Sequence, residues 1–197
     1  MTQEQLNKII ENHQHYLNKD IDGWENMRAD LSYQDLSGLD FKNANLREAN
    51  LNNANLRDAN LRNADLRDAN LAYADLRKAN LREANLCRAF CCYANLRGVD
   101  LRNANLRDAT LFVANLREAN LLGANLKNVN IIYANIGEDT KIDYPIICPE
   151  TGSFIGYKKA SYEKIVKLQI CEDAKRSSAI GKKCRCSKAL VLSIENI

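Results

Sequence analysis

Between residues 29 and 138 the apolar positions recur every fifth residue. A large apolar residue marks each step from Leu31 to Ile136, giving 22 consecutive units; 18 of these centres are Leu and the others are Phe41, Cys91, Ile131 and Ile136. Two residues before the centre stands Ala in 18 of the 22 units, the exceptions being Gln34, Leu39, Val99 and Val129. The position between them holds Asn or Asp in 20 units and is broken by Phe90 and Thr110. A helical period would smear the Leu positions around every face, and a strand would alternate them in and out. The chain must therefore turn every five residues. One small and one large inward residue per turn suits a narrow tube, with Ala filling the corners and Leu stacking on Leu in layers about 4.8 Å apart.

Units such as Ala44-Asn45-Leu46-Arg47-Glu48 and Ala64-Asp65-Leu66-Arg67-Asp68 resemble those of the pentapeptide-repeat family. The resemblance spans residues 29–138 and implies an all-β fold, a right-handed quadrilateral β-helix with four units per coil. Twenty-two units then make about five and a half coils and a tube roughly 26 Å long.

An open tube exposes apolar rungs and unpaired backbone, so both ends need covering. Residues 1–28 predict a capping helix from Thr2 to Asn18. Thr2 and Gln5 are spaced as a capping box, and Leu6, Ile9, Ile10, His13, Tyr16 and Leu17 form its apolar stripe. Trp24 is expected to lid the first coil. After Ile136 the period stops, and residues 139–197 predict a small β-rich domain with strands at Ser153–Lys159, Lys164–Cys171 and Ala189–Ile194. The stretches 148–160 and 172–194 are similar to a C-terminal domain of unknown function attached to some bacterial and phage members of the family.

Four units to a coil place residues twenty apart above one another, so each face reads as columns. Three faces are charged, with Arg57, Arg77, Arg97 and Arg117 on one, Lys42, Arg62, Arg82 and Arg102 on the next, and Arg47, Arg67, Arg107 and Lys127 on the third. Like charges at the layer spacing repel by only about 1 kcal/mol in water. Asp58, Glu118, Glu48, Asp68, Asp108 and Glu83 stand beside them to offset that. These faces read as solvated surface, with anion binding as the sharper alternative. The fourth face is uncharged in two columns: Tyr33, Asn53, Tyr73, Tyr93, Val113 and Tyr133, and beside them Ser32, Asn52, Ala72, Cys92, Phe112 and Ile132. Phe90 falls on the same face. An apolar strip of this size calls for cover, by the chain's own tail or cap, a second copy in a homodimer, or a foreign partner. Tyr73, Phe90, Cys92, Tyr93, Phe112, Val113, Ile132 and Tyr133 are the candidate interface.

The Asn and Asp before each centre fit hydrogen bonds to turn backbone better than ligand binding. Seven cysteines, three in the repeats and four in the tail, read as reduced thiols. Cys148, Cys171, Cys184 and Cys186 lack the paired spacing of a zinc site, so no metal or cofactor is expected. The two histidines, His13 and His15, sit in the capping helix, remote in sequence from any activated nucleophile. A tube filled by Ala and Leu leaves no substrate cavity, and the chain is expected not to be an enzyme. No stretch of about 18 apolar residues spans a membrane, and the polar start lacks a signal-peptide core, which predicts a cytoplasmic protein without a membrane partner.

The resemblance also raises the family's best understood activity, mimicry of double-stranded DNA by proteins that bind bacterial topoisomerases. A tube of roughly 26 Å would need on the order of 15 net negative charges for that. Residues 29–138 carry 14 basic and 13 acidic residues instead. Nucleic-acid binding is the other alternative, resting on the Arg columns and on Lys175, Arg176, Lys182, Lys183, Arg185 and Lys188 of the tail. Flat threonine ranks for ice binding are missing, since Thr110 is the only threonine in the repeats. The leading expectation is a non-enzymatic protein-interaction or scaffolding module with an unidentified protein partner.

Overall fold

The computed structural model describes residues 1–137 and 139–142 in full and, beyond them, the backbone of five strands. The chain forms two compact units, Met1–Ile142 and Asp143–Ile197.

The first unit is an all-β solenoid behind an N-terminal helix. Parallel bridges join each Asn or Asp position to the one twenty residues on, from Asp30 with Asn50 to Asn115 with Asn135. Four five-residue units therefore make one coil. The unit Ala64–Asp68 shows how five residues meet every backbone donor they own. Asp65 N–H donates to Ala44 O in the preceding coil (2.9 Å), while Leu66 and Asp68 donate to Asn85 O (2.7 Å) and Cys87 O (3.2 Å) in the following one. Ala64 closes the turn onto Leu61 O (3.0 Å). The fifth, Arg67 N–H, is taken by the Asp65 side chain (3.2 Å), which is the backbone role expected of the Asn/Asp position.

Each turn also needs left-handed backbone two residues after the centre. All 21 such positions from Tyr33 to Tyr133 have positive φ, only Gly38, Gly98 and Gly123 among them being glycine. With positive φ confined to that third residue, these are type II turns. Asn tolerates the conformation, and Asn43, Asn53, Asn63, Asn103 and Asn128 use it. Val113, at φ 56, is β-branched and strained there.

Centres from Leu31 to Leu121 are at most 2% exposed and fill the tube with their Ala partners. Leu126, Ile131 and Ile136 are only partly buried. In this unit, among the described residues, the coil above them is represented by β2 alone: β1 (Asn120–Leu121) pairs in parallel with β2 (Lys141–Ile142), Asn120 opposite Lys141. That offset is 21 residues, one more than in the coils below.

Helix α1 (Gln3–Asn18) closes the other end. The Thr2/Gln5 capping box is formed, and Leu6 and His13 are fully buried with Ile9 and Ile10 against the core. Side chains of α1 replace the backbone of a missing coil. The Gln3 amide donates to Asp40 O (2.8 Å) and accepts from Asp40 N–H (2.9 Å). His13 is held at both nitrogens: Ala29 N–H donates to Nδ1 (3.1 Å), so Nε2 carries the proton and donates to Arg47 O (2.8 Å). The expectation for Trp24 is corrected. It lies in a short 3-10 turn, Trp24–Met27, that contributes no buried residue, and its ring packs on Tyr16 with Lys19 Nζ 5.0 Å away. The lid is made by α1, whose Leu6 already fills the first rung.

In the second unit β3 (Phe154–Ser161), β4 (Lys164–Ile170) and β7 (Ala189–Asn196) form an antiparallel sheet with β4 central. They match the three expected strands to within two residues at each end. A separate pair, β5 (Arg176–Ser178) and β6 (Cys184–Cys186), was not foreseen. Cys148 and Cys171, and the side chains of Cys184 and Cys186, lie outside the described residues.

Candidate interaction face

The columns inferred from the twenty-residue coil are present as stacked side chains. Tyr73 and Tyr93 lie parallel with centroids 4.9 Å apart and planes 1° from coplanar. Phe112 meets Tyr93 edge-on at 5.7 Å, and Tyr133 meets Phe112 in the same way at 5.7 Å. Four aromatic rings thus form a continuous ladder along the tube, since one coil spacing matches the 4.5–7 Å range aromatic pairs prefer. Tyr73, Phe90, Tyr93 and Tyr133 are 45–68% exposed, and Val113 and Ile132 flank them at 37% and 42%. Phe112 is half-buried inside the ladder. Cys92 is corrected: at 7% exposure it is recessed and offers the face little surface of its own. Its small side chain sinks between larger neighbours, burial raises its pKa, and the Phe112 N–H facing it works the other way. Cys91, wholly inside the tube, has its thiol pushed up to about 12 by burial and by Cys92. Both are poor nucleophiles.

This face breaks the backbone rules that hold elsewhere. Phe90 has no side-chain acceptor for the Cys92 N–H, whereas every neighbouring Asn in its column up to Asn70 supplies one to its own unit, as Asn70 does for Ala72 (3.1 Å). Val113 holds its left-handed turn without the shape for it. Departures of this kind persist where a surface is used.

The charged faces behave otherwise. Arg67, Arg77 and Arg102 each fork onto the Asp two residues earlier in the same unit, Asp65, Asp75 and Asp100. The Arg77 guanidinium holds the Asp75 carboxyl below its ordinary value, against the opposing pull of burial. Arg62 pairs with Glu83, Arg88 with Asp68, Arg97 with Glu118 and Arg107 with Asp108. Glu83, Asp68, Glu118 and Asp108 were legible as neighbours. Asp65, Asp75 and Asp100 were not, because their turn role hid a second one. Among the described residues no group of His, Cys, Asp and Glu is placed to hold a metal, and no helix is long and apolar enough to cross a membrane.

The profile of pentapeptide repeats matches residues 27–63, 64–103 and 114–138, with 8 copies. The chain belongs to the pentapeptide-repeat family. Its tail, residues 144–197, matches a family of unknown function, DUF5758. No curated protein matches this pentapeptide-repeat protein. Among solved structures it is similar to the pentapeptide-repeat protein Rfr23 from the cyanobacterium Cyanothece 51142, at 32% identity and a TM-score of 0.49 over 59% of this chain and 86% of that one. It is also similar to alr5209 of Nostoc Pcc 7120, at 42% identity and a TM-score of 0.35 over 47% and 72%. A third is QnrB1, a plasmid-mediated fluoroquinolone resistance protein, at 17% identity and a TM-score of 0.32 over 57% and 72%.

Proposed function

We propose that this chain is a non-catalytic protein-interaction module that meets its partner through the aromatic face of the solenoid. The observation that carries this reading is the unbroken ladder Tyr73–Tyr93–Phe112–Tyr133, exposed on a tube whose interior is filled. Aromatic residues free of nearby charge are what the centre of a protein–protein contact is made of. Nucleic-acid binding is less well supported, because ion pairs within and between coils engage six of the twelve cations in the Arg columns at 3.3 Å or less. DNA mimicry conflicts with 14 basic against 13 acidic residues in the repeats. Affinity capture from the native cell, run in parallel with wild type and a Tyr93→Glu, Phe112→Glu variant, tests the reading. Proteins held by wild type and lost by the variant support it. An identical set of captured proteins on both overturns it, and a salt-dependent shift of labelled DNA that the variant leaves unchanged would favour the Arg columns.

A further inference from the structure

We infer that the occupant of the aromatic face is a second copy of this chain, in an antiparallel homodimer; the inference rests on reading that face as a protein-contact surface. The two apolar columns and Phe90 lie on successive rungs one coil apart. A copy related by a two-fold axis across the tube brings each column against itself with the rung order reversed. Setting the axis between the rungs of Tyr93 and Val113 then pairs unequal side chains at the two central rungs. Tyr93 meets Val113 and Phe90 meets Thr110, while Phe112 and Ile132 stand over the positions of Cys92 and Ala72, which are recessed at 7% and 4% exposure. Large residues facing small ones is how close-packed contacts interdigitate. The ends of the ladder, Tyr73 and Tyr133, meet as an aromatic pair.

The parallel alternative sets equal rungs together, which places Phe112 on Phe112 and Tyr93 against Phe90, bulk against bulk. The coil spacing is the same in both copies, so all rungs come into register at once. The face carries no charge in its two columns, as a surface that must face itself requires. From the exposed fractions of Tyr73, Phe90, Tyr93, Val113, Ile132 and Tyr133, burial comes to roughly 600 Å² per copy, near the lower bound for a specific dimer. Tyr33, 74% exposed, lies past Asn53 and outside this footprint.

Charge rescue tests the arrangement on the full chain. Tyr73→Glu and Tyr133→Lys place opposite charges at turn positions that Glu48, Glu83 and Lys78 already occupy with positive φ, so both variants are expected to fold, which a cooperative melt checks. Within one chain these sites are three coils apart. In light scattering the wild type is expected at about twice the 22.3 kDa chain mass. Each single variant is expected at the monomer mass, an equimolar mixture of the two back at the dimer mass, and Tyr33→Glu indistinguishable from wild type. A monomeric wild type overturns the proposal. If the Tyr93→Glu, Phe112→Glu variant also loses captured proteins in that case, the contact-surface reading stands with a foreign partner. If it loses none, both fall. A dimer that both single variants leave intact overturns the proposal as well.

Discussion

Acidification should unlatch the helix that seals the N-terminal end. His13 is fully buried, accepts Ala29 N–H at Nδ1 and donates from Nε2 to Arg47 O. A proton added at Nδ1 would turn that acceptor into a donor aimed at another donor. The lost bond and the stranded Ala29 N–H together destabilise the cap by roughly 1–3 kcal/mol. Burial lowers the His13 pKa below 6.5, Arg28 adds to this, and the bond to Arg47 O and the charge of Glu48 oppose it; Tyr16, stacked 5.4 Å away, is the other titratable group against the ring. The folded pKa is thus below the unfolded one. The stabilisation is complete above pH 6.5, is lost as pH falls below it with a slope of at most about 1.4 kcal/mol per unit, and levels off below the folded pKa. The single tryptophan, Trp24, packs on Tyr16 of the same cap, so its fluorescence reports the change directly. His13→Gln keeps an amide donor and acceptor but cannot titrate. Denaturant melts at pH 8, 6 and 5 should show the loss in wild type and in His15→Gln but not in His13→Gln. An equal pH dependence in all three proteins would refute the reasoning.

Three further outcomes follow from the rungs themselves. Leu66→Asp or Leu106→Asp, at 0% and 1% exposure, buries an unpaired carboxyl in a dry tube and should abolish folding; a soluble variant with a cooperative melt would count against the interior assignment. Gly123→Ala should destabilise by about 1 kcal/mol, the cost of positive φ, because the Asn103 Oδ1 that a Cβ would meet at 2.2 Å ends an exposed side chain that can swing aside; Gly38→Ala, with nothing within 4 Å, bears the same cost. A much larger loss for Gly123→Ala than for Gly38→Ala in urea melts would contradict this. Phe90→Asn should stabilise the monomer by about 0.5–1.5 kcal/mol by giving the Cys92 N–H its acceptor, and at the same time weaken self-association. A variant that gains stability and still dimerises fully would remove Phe90 from the interface.

The five-residue period was sufficient to locate the core, the twenty-residue coil and the columns, because one inward Leu per unit admits a single register. The capping box at Thr2 and Gln5 gave the helix start. What stayed hidden depended on geometry that residue type does not announce. Tyr73, Tyr93 and Val113 mask the left-handed turn that Asn53 and Gly38 would have signalled. Cys92 shares its column with Phe112, yet the smaller side chain is buried and the larger one half-exposed, a difference of reach. The register of Lys141 opposite Asn120 follows from one additional residue after the regular repeats, which periodicity cannot place once it has ended.

Each unit secures its own backbone, through the ladder, the turn and the Asn or Asp side chain, so the two outward side chains that follow the centre carry little of what keeps the coil shut beyond the left-handed backbone the second must accept. Such a wall can be redecorated one tile at a time. Exchanging outward pairs between units should transplant a recognition strip to another side of the column without rebuilding what lies behind it, and this makes the molecule a ruled scaffold on which contact chemistry is written at fixed intervals.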